Sequence, residues 1–232
     1  MRVYERPAVY LGDLKIAPAA RGGRVLVRLA GAMAAWAGGK ADTGFGVVMA
    51  GTPVTPDRYT GRLGLPAFRE LARVAILRLP TGDAAGSADE IVAADGEAMY
   101  RRLAAGQYAA AGGDPAERSE TPPVRLALPD GSACGRLEDT RRAKRLISDD
   151  GGEMVSAHLS CFGYADTAAG LRLLAAARVR AAALGFPALF VAVPDADAAP
   201  FAAVPGVVVA PAVVYGTGLD AGVSWAVNTA EV

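Results

Sequence analysis

Histidine occurs once in the chain, at residue 158, and cysteine twice, at residues 134 and 161. Zinc sites draw on clustered histidine and cysteine. The two cysteines form no CxxC pair, so no metal site or disulfide framework is expected. Two small buried thiols are the reading that is left. Neither sign of charge is in excess: 24 Lys and Arg stand against 24 Asp and Glu. Nothing global therefore points to nucleic acid or to a membrane surface. Lysine is scarce, at 15, 40 and 144 only, so the basic residues are nearly all arginine. No apolar run reaches the length of a membrane span. The opening residues MRVYERP contain no signal-peptide core. A cytoplasmic protein is the expectation. A GxSxG elbow is missing, and so are a dinucleotide-type glycine spacing and a P-loop lysine.

What is present is organised around residues 8–36, AVYLGDLKIAPAARGGRVLVRLAGAMAAW. Val9 to Ile16 is rich in branched and aromatic residues and predicts a strand. Ala17-Pro18 stops it, since proline lacks the ladder donor. Arg21-Gly22-Gly23-Arg24 leads into a helix. Val25, Leu29, Ala32, Met33 and Trp36 give that helix one apolar face. Arg21, Arg24 and Arg28 fall on another face. A helix start leaves backbone N–H groups free and carries partial positive charge. Two glycines let a phosphate approach the main chain. The stretch reads equally as a pyrophosphate seat and as an ordinary strand–helix unit with a solvated basic face.

The stretch resembles the acetyl-CoA-binding half of the GNAT superfamily of N-acetyltransferases. That family places a phosphate loop, Arg/Gln-x-x-Gly-x-Gly/Ala, between a strand and a helix. Arg21 matches its first position. Arg24 stands where the second glycine belongs, and Leu26 where the last small residue belongs. Phe45 to Ala50 follows as a short strand. Thr52 to Leu65 resembles the family's next helix, with Tyr59 one place early and Leu65 for the usual Phe. The resemblance implies acetyl-CoA or a related acyl-CoA as co-substrate, with no metal. It implies cofactor contacts from Leu14, Lys15 and Ile16 on the strand, and from Arg21, Gly22, Gly23, Arg24 and Val25 in the turn. Tyr59 would be the acid for the leaving thiolate, and Asp13 a base. A packed tyrosine and a solvent-exposed aspartate explain the same two residues.

The rest of the chain repeats the order of elements. Val74 to Leu77 is a strand. Ser87 and Glu90 resemble a capping box before a helix carrying Ile91, Ala94, Ala98, Leu103 and Tyr108. Residues 111–123 read as a loop. Val124 to Leu128 is a strand, and Asp130-Gly131 favours a hairpin returning through Ala133 to Ile147. Arg141, Arg142, Lys144 and Arg145 lie among acids and read as solvated. Glu153 to Tyr164 is a strand; Asp166 or Thr167 caps the next helix, whose stripe is Leu173, Ala177, Ala181 and Leu184. Strands follow at Leu189 to Val193, Val207 to Val214 and around Trp225. His158 reads as a satisfied structural histidine, and a substrate-side role for Glu138 and Asp139 is open.

The expected fold is α/β: a GNAT-like mixed sheet flanked by helices, with one partial and one complete unit. The partial unit is residues 1–79, lacking the front elements of the family. The second, degenerate unit is residues 80–232, with no glycine-rich loop after its central strand. A second copy in a homodimer could cover the opening edge. The expected reaction is acyl transfer to a small-molecule or protein amine, with no nucleic acid or membrane partner. A non-catalytic GNAT-like binding protein is the alternative, and a fragment of a longer enzyme a third reading.

Overall fold

The computed structural model describes every residue except 1, 4–5, 13–15, 22, 63–64, 83–85, 91, 112–113 and 149, and the backbone alone at 2–3, 93–94 and 110–111. The chain runs β1 (Arg2–Val3), β2 (Arg6–Tyr10), α1 (Val25–Ala37), β3 (Thr43–Met49), α2 (Pro56–Tyr59) and β4 (Arg69–Pro80). It continues β5 (Asp89–Glu90), α3 (Ala93–Leu103), β6 (Tyr108–Ala111), α4 (Pro115–Arg118), β7 (Val124–Ala127) and β8 (Ala133–Glu138). The last third is β9 (Ala157–Tyr164), α5 (Thr167–Ala183), β10 (Ala188–Pro194), α6 (Ala198–Ala202), β11 (Val208–Thr217) and β12 (Trp225–Ala226).

All strands join one sheet in the order β12-β6-β1-β2-β3-β11-β4-β10-β9-β8-β7-β5. Its centre reads the same from both ends. β2 pairs β3 in parallel, and β9 pairs β10 in parallel. β3 to β11, β11 to β4 and β4 to β10 are all antiparallel. β11 lies between β3 and β4, so the sheet runs unbroken across residues 79 and 80. The elements β2-α1-β3-α2-β4 and β9-α5-β10-α6-β11 follow the same succession.

The main core lies under α5. Leu173, Leu174, Ala177 and Ala181 of that helix are buried against Leu77, Leu79, Leu137, Leu159, Leu189 and Val191 of the sheet. Each buried leucine contributes roughly 1.5–3 kcal/mol by leaving water. Asp166 caps the helix as expected, its Oδ1 accepting from the Ala169 amide at 2.8 Å. A second core gathers Ala8, Phe45, Leu71, Val74, Val214 and Trp225. In it, Trp225 meets Phe45 at 5.0 Å and Tyr108 at 5.3 Å between ring centroids.

Several elements differ from their sequence reading. β2 stops at Tyr10 rather than reaching Ile16. The helix expected over Thr52 to Leu65 is one turn, Pro56–Tyr59. The Thr60 hydroxyl closes it on the Pro56 carbonyl and also accepts from the Phe68 amide, pulling the chain into β4. Residues 89–90 form a strand, and α3 starts after Val92 without a side-chain cap, so Ser87 and Glu90 make no capping box. Residues 115–118 of the expected loop form a helical turn, capped by Asp114. The hairpin at Asp130-Gly131 is present, with Gly131 at φ +66°.

Candidate functional site

β2 and β3 run side by side through three paired positions, Ala8 with Thr43, Val9 with Gly44 and Tyr10 with Phe45. One more hydrogen bond follows, from the Leu11 amide to the Phe45 carbonyl at 2.8 Å. Then the strands part. β3 continues to Met49 alongside β11, and its pairing with β2 ends at Phe45 among the described residues. Gly46 sits at the parting. A Cβ there would lie 2.6 Å from the Leu11 carbonyl oxygen, so only glycine allows this approach. Ligands of open α/β sheets bind in such crevices, beyond the carboxyl ends of parallel strands.

α1 is the next α-helix after β2 in the chain. Arg24 is its N-cap, and no side chain caps it. The Arg24 carbonyl accepts from the Arg28 amide at 3.0 Å. The Val25, Leu26 and Val27 amides therefore have no intrahelical acceptor, and none among the described residues. No acidic residue lies in the first turn. Gly23, Arg24 and Val25 are exposed around it. Arg21 is engaged within the chain: its amide donates to the Pro18 carbonyl at 3.2 Å and its Nε to the Ile16 carbonyl at 3.2 Å. Asp13, Leu14, Lys15 and Gly22 lie outside the described residues.

Tyr59 ends α2, the turn that follows β3. It is half-buried. Burial, with Asp57 beside it, raises its phenol above the ordinary value, so it is protonated at neutral pH. A cleft of about 310 Å³ lies along the end of β3, the middle of β11 and the start of β4, lined in part by Met49, Thr55, Glu70, Arg73, Asp195 and Tyr215. Arg73 Nε donates to Glu70 Oε1 at 2.8 Å. Sequence reading missed Glu70, Arg73 and Asp195. They come from two strand ends more than 120 residues apart, and no local spacing joins them.

The equivalent opening between β9 and β10 is different. These strands pair at only two positions, Ala157 with Leu189 and His158 with Phe190. Cys161 then takes φ +49°, which a side chain seldom adopts. Residues 225–229 fill the space. Asn228 Oδ1 accepts from the Cys161 amide at 2.7 Å, and Thr229 Oγ1 lies 3.0 Å from His158 Nδ1. The helix that follows is capped by Asp166, which would repel phosphate. His158 is stacked on Phe190, and burial lowers its imidazole to about 4. Its structural reading stands.

Glu138 and Asp139 are buried and committed to the fold. Glu138 receives Arg118 Nε at 2.9 Å and Arg136 at 3.0 Å, and Arg118 also reaches Glu231 at 3.0 Å. Asp139 accepts from the Glu120, Thr121 and Arg141 amides. Against the opposing effect of burial, the Arg141 guanidinium and then those amides hold its carboxyl well below the usual range. Neither side chain is left for a substrate. Cys134 is buried and its thiol pushed up to about 12 by burial; Cys161 is raised the same way. Both are free, and no group of residues suited to a metal exists among the described residues.

A mixed, helix-flanked sheet with β2 parallel to β3 beside antiparallel β11 and β4 matches the GNAT-like acyltransferase fold. One solved structure shares that fold. Saccharomyces cerevisiae N-myristoyltransferase, crystallised with myristoyl-CoA, matches with a TM-score of 0.57 over 91% of this chain and 62% of that one, at 9% identity. The chain thus spans about three-fifths of that protein's length. A putative acetyltransferase from Thermoplasma acidophilum matches at 0.46 over 91% and 69%, with 15% identity. A GCN5-related N-acetyltransferase from Kribbella flavida matches at 0.42 over 76% and 68%, with 16% identity. No family model and no curated protein sequence matches the chain.

Proposed function

We propose that the protein transfers an acyl group from an acyl-CoA to an amine, and that the site is the opening between β2 and β3. The observation that carries this reading is the uncapped, acid-free first turn of α1, the helix that follows β2 in the chain. The Val25, Leu26 and Val27 amides would receive the diphosphate, with Arg24 and Arg21 adding charge-assisted contacts. The fold it shares with an N-myristoyltransferase bound to its acyl-CoA supports the choice of co-substrate.

The amine nitrogen attacks the thioester carbonyl carbon, an N–C bond forms and the C–S bond breaks. The ammonium proton leaves to a base or to water, and the thiolate takes a proton. Tyr59 would donate that proton, a role supported by a phenol that is protonated at neutral pH. Glu70 and Asp195 give the cleft carboxylates that attract a cationic amine. Asp13 is the alternative base on the cofactor strand. The residues from β9 to β11 form a second copy of the same unit whose seat is capped and filled, and its role is structural.

One observation favours the non-catalytic reading: the Tyr59 hydroxyl has no hydrogen-bond partner among the described residues to orient it. Release of free thiol from acetyl-CoA and longer acyl-CoA thioesters, measured over a panel of amines, separates the two. Turnover that falls about 10–100-fold in Tyr59→Phe with little change in KM supports the enzyme and this acid. Binding of acyl-CoA without turnover for any amine supports the binder.

A further inference from the structure

The periodicity of α1 predicts an apolar face of Val25, Leu29, Ala32, Met33 and Trp36, and the structure turns that face outward. Val25 is 37% exposed, Leu29 41%, Met33 37% and Trp36 62%. The only buried residue of the helix is Ala30, on the opposite side. α1 makes no extensive contact with any other helix or strand. Arg24 and Arg28 are exposed along one flank of the stripe, and Lys40 Nζ stands 3.8 Å over the Trp36 ring. None of these cations makes an ion pair among the described residues. From residue 14 to residue 41 the sequence holds five cations and no acid. Zero net charge thus conceals a local concentration of positive charge around an exposed apolar stripe.

We propose that α1 lies flat on an anionic lipid surface. A helix with a broad apolar stripe, flanking arginines and a tryptophan at one end has the chemistry of an interfacial helix. Its 13 residues span roughly 20 Å, and no helix among the described residues is long and apolar enough to cross the bilayer. The stripe enters the acyl boundary, Trp36 sits at headgroup level, and the arginines meet anionic headgroups. A second copy of the chain is the weaker occupant. A two-fold contact sets the same patch against itself. It would bring two sets of Arg24, Arg28 and Lys40 together with no acid on the helix to offset them. Arg24 and Val25 are shared with the coenzyme reading, but the lipid contact does not rest on it, since lipid binding is measured without coenzyme.

The test adds vesicles of phosphatidylcholine and phosphatidylglycerol, mixed equally, to the full chain. Trp36 is the responsive fluorophore, since Trp225 is buried. The expected result is a blue shift of emission and co-sedimentation at least roughly ten-fold above that with pure phosphatidylcholine, both reversed by high salt. Leu29→Glu with Met33→Glu abolishes both while thermal unfolding is unchanged. Arg28→Gln, which leaves the stripe intact, weakens the preference for anionic vesicles. Equal partition onto neutral and anionic vesicles overturns the proposal, as does no blue shift on either. A blue shift on concentrating the protein alone, with the scattering mass doubled, overturns it in favour of a second copy.

Discussion

His158 is neutral in the folded chain because burial lowers its imidazole to about 4, against an ordinary value near 6.5. The unfolded chain therefore takes up the proton first as pH falls. Stability from this residue is complete above pH 6.5 and is lost between 6.5 and 4, by roughly 3 kcal/mol in all. Urea unfolding should show a midpoint that drops from pH 7 to pH 4.5, and His158→Gln should flatten that drop. An equally steep drop in the variant contradicts the assignment. Glu138 follows the opposite logic of charge: it compensates two buried arginines. Glu138→Gln leaves Arg118 and Arg136 with Glu231 as their one shared carboxylate and should cost about 3 kcal/mol by equilibrium denaturation. The sequence made the single histidine legible as structural, since nothing near it suggested catalysis. It did not make Glu138 legible. Its partners are Arg118, 20 residues away, and Arg136 on its own strand, and Arg118 in turn reaches Glu231. Only the fold joins them.

Among the elements, the contrast between α1 and α5 is the informative one. Both show an apolar stripe of helical period. That of α5 is buried, and Asp166 caps its start; that of α1 is exposed, and its start is uncapped. Periodicity reports that a helix has an apolar face, not what covers it. The uncapped start of α1 was legible from Arg21-Gly22-Gly23-Arg24. The shortness of α2 was not read, although Pro53, Pro56 and Gly61 bracket it and the Thr60 hydroxyl ends it. Gly46 is the element-scale test of the site. Gly46→Ala places a methyl 2.6 Å from the Leu11 carbonyl oxygen, so β2 must shift against β3. The expected outcome is a loss of coenzyme affinity with a drop in stability of about 1–3 kcal/mol. Unchanged affinity in a folded variant would show that the parting of the strands does not shape the seat.

At the scale of the whole molecule, the sheet binds the two halves of the chain together. β11 is held between β3 and β4, and β4 between β11 and β10. Residues 1–79 and 80–232 expressed separately should each expose unpaired central strands and fail to fold alone, and the intact chain should unfold in one transition. Independent folding of either piece, seen by circular dichroism, would contradict that. The order of elements was legible because each strand and helix carries its own period. The interleaving was not, because strand order is a matter of long-range pairing. The central claim is that the first turn of α1 holds a coenzyme diphosphate, and calorimetric titration with coenzyme A tests it most directly. The account predicts binding in the micromolar range, weakened about ten-fold or more by Arg24→Glu. No heat at millimolar coenzyme A, or an affinity indifferent to Arg24→Glu, would contradict it.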